Sequence, residues 1–276
     1  MPSPPDQLPA SLAAKSRFVR LGPDVPALVA HPDWAAPAPV VLWMHGRTVT
    51  KELDPGRYSR WLRAGVAVCA IDLPGHGERA EPDRQGSEAT PGVIEQARRE
   101  IDPILDGLAH EFGDAFDLDR VAIGGMSLGG MITLRRLCDP HRFGAAAVEA
   151  TTGDLAALYG DADRPSAAHD PADVEPQDPS RHLAGFEPLP LLALHTQADE
   201  MVPWPGQRAF LERLRAHYAD RGSDPDLIEI ETWPDTGAPR EHVGFGRHSN
   251  EAKNTQTAFL ARALGADAGS GQRPGG

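Results

Sequence analysis

One stretch limits the possible architectures more than any other: Val121-Ala122-Ile123-Gly124-Gly125-Met126-Ser127-Leu128-Gly129-Gly130. An apolar, β-branched run enters Gly125-Met126-Ser127-Leu128-Gly129, and Met131 to Leu137 beyond it has helix-forming character. The pattern predicts a strand, a sharp turn with Ser127 at its tip, and a helix. Such a G-x-S-x-G turn crowds its flanking positions, so Gly125 and Gly129 are the residues that must lack a Cβ. The hydroxyl then stands at the carboxyl end of a sheet, above a helix whose unpaired N–H groups favour negative charge. The stretch does not read as a phosphate loop, because no Lys-Ser/Thr follows the glycines and their spacing misses G-x-G-x-x-G. A close-packed β–α turn without chemistry is the plain alternative, and the rest of the chain has to decide between the two.

The remaining chain alternates strands and helices. Phe18–Leu21 and Ala27–Ala30, split by Gly22-Pro23-Asp24, read as a short antiparallel pair. Buried strands follow at Pro39–Met44 and Val66–Ile71, with a helix over Tyr58–Ala64 between them. Gly92–Phe112 has apolar residues at helical spacing, with Pro103 as an expected kink or boundary. After Ser127 come strands at Ala145–Ala150, Leu189–His195 and Leu227–Trp233, and helices at Gly206–Arg221 and Asn250–Leu264. This rhythm predicts an α/β protein: a mostly parallel, eight-stranded sheet covered by helices on both faces, with ligands beyond the strands' carboxyl ends. Only Thr152–Pro188 breaks it. That stretch is rich in Asp and Pro and follows a strand end, so a small lid over the site is the preferred reading over a disordered excursion. Met1–Lys15 reads as a loose lead-in and Gly265–Gly276 as a flexible Gly/Ser-rich tail. One domain results, with a core over about 16–264, a lid over about 152–188 and a tail at 265–276.

Composition excludes several classes. The net charge of -13 is spread along the chain and argues against nucleic acid or anionic membranes as partners. The N-terminus has no apolar run of signal-peptide length, and no stretch approaches a membrane span. Cys69 and Cys138 read as buried free thiols suited to a reducing cytoplasm. No Cys/His cluster has zinc spacing, so no metal is expected.

A serine hydroxyl needs a base to become a nucleophile, and the base needs an acid to orient it. Asp199, with Glu200 as a weaker rival, lies just past the strand ending in His195. The loop after Trp233 holds His242 and His248. His242 is preferred for its Gly-containing loop close to the strand end; His248 precedes Ser249-Asn250 and suits a helix entrance. The order Ser, Asp, His is the α/β-hydrolase order. Here, over about Phe18 to Leu264, the chain resembles that family, and the dienelactone-hydrolase-like and peptidase-like esterases within it. The elbow at Gly125–Gly129, the turn at His45-Gly46, the segment Asp72-Leu73-Pro74-Gly75-His76-Gly77 and Asp199 with Val202-Pro203 carry the resemblance. Two positions depart from it: Thr196 stands where Gly often follows the strand-end His, and Glu241 precedes His242 where Gly is usual.

The resemblance implies a triad of Ser127, Asp199 and His242, with His248 the alternative base. It implies an oxyanion hole built from the backbone N–H groups of Leu128 and Arg47, and His45 orienting the loop that carries the second of these. His76 is expected to fix its Pro-Gly turn, and His195 to lie nearby without a triad role. The implied protein is a serine esterase acting on a small-molecule ester, with no cofactor, no metal and no propeller domain of the kind many peptidase relatives carry. Peptidase, thioesterase and non-catalytic binding protein are the alternatives.

Overall fold

The computed structural model describes residues 8–160 and 169–266. Eight strands form one sheet: β1 (Ser16–Leu21), β2 (Val25–Ala30), β3 (Ala38–Met44), β4 (Ala67–Ile71), β5 (Phe116–Met126), β6 (Ala145–Glu149), β7 (Leu191–Thr196) and β8 (Ile228–Trp233). Their order is β1-β2-β4-β3-β5-β6-β7-β8. β2 runs antiparallel to both neighbours, and every other pair is parallel. The interior strands β2, β3, β4, β6 and β7 are buried at every position, as strands covered on both faces must be. The edge strands β1 and β8 keep exposed positions.

Around the sheet lie α1 (Ala10–Ala13), α2 (Pro55–Arg63), α3 (Thr90–Phe112), α4 (Leu128–Arg136), α5 (Leu155–Tyr159), α6 (Pro171–Val174), α7 (Trp204–Asp220) and α8 (Ser249–Ala263). The period of two in β3 divides the core. Val40, Leu42 and Met44 meet α3 and α4 on one face, while Val41 and Trp43 meet α2 and α8 on the other. Helix α2 begins sharply because the Asp54 carboxylate accepts the Arg57 N–H at 3.2 Å and Pro55 occupies the first turn.

Three expectations need correction. The lead-in is not loose from Leu8 onward: α1 buries Leu12, which with Leu8 joins the cluster around Tyr58 and Trp61. Pro103 does not end or divide α3. Both Pro103 and Arg99, whose carbonyl loses its helical partner, lie on the exposed face, and Ile101, Ile104 and Leu105 anchor the other side. β5 begins at Phe116, not Val121, and its residues 118–120 bulge out unpaired opposite the step from Pro39 to Val40 on β3. Asp117 to Arg120 are polar enough to have hidden that start. The described part of 152–188 contains α5, α6 and short turns, with Leu155 and Phe186 fully buried. Residues 161–168 of the expected lid and 267–276 of the expected tail lie outside the described residues.

A polar network beneath the sheet end ties α2, β6 and α8 together. Arg57 Nη2 bonds Glu149 Oε2 at 2.8 Å, and its Nη1 bonds Glu149 and Gln256. Gln256 in turn donates to Glu149 at 2.8 Å, and the guanidinium lies 4.6 Å from the Trp43 ring centre. All three polar side chains are buried. Arg57→Met should destabilise the fold by about 3–5 kcal/mol, since it strands a buried carboxylate; adding Glu149→Met should recover most of that loss. Urea denaturation midpoints of the two variants test this.

Candidate active site

Backbone contacts fix the serine first. Ser127 has φ 50° and ψ -115°, a strained conformation for a residue with a Cβ. Its N–H donates to the Glu149 carbonyl at 2.8 Å, and its own carbonyl accepts from the Thr151 hydroxyl at 2.8 Å and the Met131 N–H at 3.0 Å. A Cβ at Gly129 would stand 2.3 Å from the Met44 carbonyl oxygen, and one at Gly125 would stand 2.5 Å from the Gly129 backbone. Any larger residue at either position would push the first turn of α4 off the sheet.

The other two predicted groups arrive from loops beyond β7 and β8. Asp199 is buried; its Oδ1 accepts the N–H groups of Met201 and Val202, each at 2.8 Å. Its Oδ2 lies 2.8 Å from His242 Nδ1. A carboxylate can only accept, so Nδ1 carries the proton and Nε2 faces Ser127 Oγ, at 2.9 Å, as an acceptor. The structure thus brings Ser127, His242 and Asp199 into one hydrogen-bonded chain. His248 lies apart at the entrance of α8, bonded to Glu251 and stacked on Trp233. Glu200 is exposed, 3.6 Å from Arg240.

The departure at Glu241 has a local explanation. Glu241 has φ 51°, the left-handed region where glycine is at ease. Its carboxylate offsets the strain by accepting the Thr236 hydroxyl at 2.7 Å and the N–H groups of Thr236 and Gly237 at 2.5 and 2.8 Å. This clasp closes the loop that presents His242.

Two neighbouring histidines are structural. His45 is buried between the Gly46 carbonyl, 2.6 Å from Nδ1, and the Leu73 N–H, which donates to Nε2 at 3.1 Å. Burial lowers its pKa to about 4. His195 donates from Nε2 to the Val202 carbonyl at 2.8 Å, on the far side of the Asp199 turn, and burial lowers its pKa. His76 holds its own turn through the Pro74 carbonyl at 2.8 Å, as expected. Beneath it Asp72 accepts both the N–H and the ammonium of buried Lys51, at 2.9 and 2.8 Å. Sequence reading did not single out Lys51, because its partners Asp72 and Glu78 come from the next strand end.

The triad opens into a cavity of about 400 Å³. Gly46 and Arg47 form one wall, and a Cβ at Gly46 would lie 3.5 Å from the Ser127 Cβ. Leu158 and Tyr159 of α5 form another, and Met126, Met131, Met201 and Val243 supply much of the apolar lining. Among the described residues no grouping of His, Cys, Asp and Glu could hold a metal, and no helix is long and apolar enough to cross a membrane. Both cysteines are buried free thiols whose pKa values burial raises, Cys138 to about 12.

Sheet order, elbow and cavity position are those of the α/β-hydrolase fold, and solved structures agree. A Thermus thermophilus protein, TT1662, superposes with a TM-score of 0.65 at 23% identity, covering 90% of this chain and 98% of its own. The acylaminoacyl peptidase of Pyrococcus horikoshii gives 0.70 at 17% identity, with 90% of this chain and 41% of the peptidase covered. A puromycin-hydrolyzing peptidase of Mycobacterium tuberculosis gives 0.68 at 22%, with 91% and 40% covered. The chain thus spans about two fifths of either peptidase. Comparison with curated proteins returned no match. The model of the prolyl oligopeptidase family matches residues 56–267, a span that contains Ser127, Asp199 and His242. The chain belongs to that family of serine hydrolases.

Two measurements follow from this geometry. His45 keeps its ordinary pKa of 6.5 when unfolded and about 4 when folded, so protonation opposes folding as the pH falls between those values. About 3 kcal/mol of stability should be lost across that window, and His45→Gln should flatten this part of the stability–pH curve, as followed by urea denaturation. Where the chain turns over a substrate, His242→Ala should lower kcat by about 1,000-fold or more, while His248→Ala should keep it within about threefold.

Proposed function

We propose that the chain is a carboxylesterase that cleaves small or medium acyl esters through an acyl-enzyme. The observation that carries this reading is the continuous chain from Asp199 through both ring nitrogens of His242 to Ser127 Oγ, opening into an apolar cavity. Ser127 attacks the ester carbonyl as His242 Nε2 takes its proton, and Asp199 stabilises the imidazolium. The carbonyl oxygen becomes an oxyanion held by the backbone N–H groups of Leu128 and Arg47. His242 then returns the proton to the leaving alcohol, and water, deprotonated by the same ring, releases the acid.

Backbone donors on a rigid turn need no reorganisation as charge develops, and one such donor typically contributes about 3 kcal/mol in the transition state. Leu128 opens α4, where helical bonding leaves N–H groups unpaired, and Arg47 follows the loop that His45 pins. The mostly apolar lining suits an acyl chain. Peptide hydrolysis is the second reading, favoured by membership of the prolyl oligopeptidase family. The absence of carboxylates from the described cavity wall speaks against recognition of a peptide's free ammonium end.

Initial rates on p-nitrophenyl esters of rising acyl length, beside matched p-nitroanilides, test the proposal. The esters should give a rate that peaks at one chain length and falls about 10,000-fold or more in Ser127→Ala. Ser127-dependent cleavage confined to the anilides would replace the esterase reading with the peptidase one.

A further inference from the structure

The charge lining the cavity runs against the charge of the chain. Aspartate and glutamate outnumber lysine and arginine by 40 to 27, yet among the described residues no acidic residue lines the cavity and two arginines do, Arg47 and Arg240. Those two differ in their surroundings. Arg240 is exposed at the rim and lies 3.6 Å from the Glu200 carboxylate. Arg47 is half-buried and follows the Gly46 that abuts Ser127. One of its nitrogens, Nη2, donates to the Thr90 hydroxyl at 2.8 Å, which anchors that end of the group. Its Nε is buried with no hydrogen-bond partner, and among the described residues no carboxylate lies within ion-pair range of it.

A buried guanidinium nitrogen with neither a hydrogen-bond partner nor a counter-charge is costly, and a bound anion would relieve that cost. His76, whose ring lies close enough to feel Arg47, supplies no counter-charge, because an imidazole is either neutral or cationic. A planar fork in a largely apolar cavity, where solvent screening is weak, suits a carboxylate.

We propose that the substrate is an ester bearing a free carboxylate, and that the Arg47 guanidinium, held by Thr90 in the wall beside Ser127, binds that carboxylate. This rests on the esterase reading above and narrows it to anionic esters with an apolar portion. The carboxylate makes charge-assisted bonds to the guanidinium, while the apolar portion lies against Met126, Met131 and Leu158. The net negative charge of the chain repels anions at long range, so recognition of one depends on this local cation.

The test compares esters that differ by one charge. On the acyl side the pair is p-nitrophenyl hexanoate and mono-p-nitrophenyl adipate. On the leaving-group side it is p-nitrophenyl hexanoate and 3-carboxy-4-nitrophenyl hexanoate. In at least one pair the carboxylated ester should have a kcat/KM about tenfold or more above its neutral partner. Arg47→Met should bring that ratio to about one, and Arg47→Lys should retain part of it. The ratio is taken within each variant, so a change in the Arg47 backbone donor, which all the esters share, cancels. Ratios near one in the unmodified protein, or a ratio that Arg47→Met leaves unchanged, would overturn the assignment while leaving the esterase reading intact. Failure of Ser127-dependent turnover on every ester would instead remove the esterase reading, and this inference with it. Should Arg47→Met fail to fold, inhibition of the unmodified protein decides: where the acyl-side pair shows the preference, the monoamide of adipate should compete about tenfold better than hexanamide, and where the leaving-group pair does, 5-hydroxy-2-nitrobenzoate should so exceed p-nitrophenol. Equal inhibition counts against it.

Discussion

The approach of the Gly129 backbone to the Met44 carbonyl is the constraint on which the site depends. It brings the first turn of α4 down onto the end of β3, and a single methyl group at that position would stand only 2.3 Å from the carbonyl oxygen. Because the turn is so close, Ser127 must take up a strained backbone angle, and three hydrogen bonds to β6, α4 and Thr151 hold it there. Everything else in the site comes to this fixed point. His242 and Asp199 belong to loops, and they meet the serine only because β7 and β8 stack in register beyond β6.

Those loops carry their own supports. Asp199 spends one oxygen on the N–H groups of Met201 and Val202 and keeps the other for His242, so its position and its role are set by the same carboxylate. Glu241 does the equivalent for the histidine loop, where its carboxylate folds back on Thr236 and Gly237. The buried Arg57–Glu149–Gln256 network secures the end of β6, whose carbonyl at Glu149 receives the Ser127 N–H. Charge buried one layer below thus determines backbone position at the elbow.

What could be read from the sequence was whatever has a local signature. The β-branched runs announced the strands, the two glycines the elbow, and the order of Ser127, Asp199 and His242 their meeting. Pro103 misled because a proline's cost depends on which helix face it occupies, and that is decided by tertiary packing. The polar stretch Asp117 to Arg120 concealed the start of β5 because most of it bulges out of the ladder with β3. Networks assembled across long separations had no signature at all: Arg57 and Gln256 lie 199 residues apart and are joined only once α2 and α8 pack side by side. Arg47 entered the sequence reading only as an expected backbone donor. The isolation of its side chain became visible only with the cavity around it.

The walls of the cavity come from separate segments: Arg47 after β3, Leu158 and Tyr159 after β6, Met201 after β7 and Val243 after β8. The elbow depends on none of these side chains, being held by glycines and main-chain bonds. Main-chain groups thus hold the elbow, while wall side chains shape the pocket in front of it. A lineage of such proteins can exchange one wall at a time, by point change or loop insertion, and acquire a new substrate while the reacting atoms stay where they were.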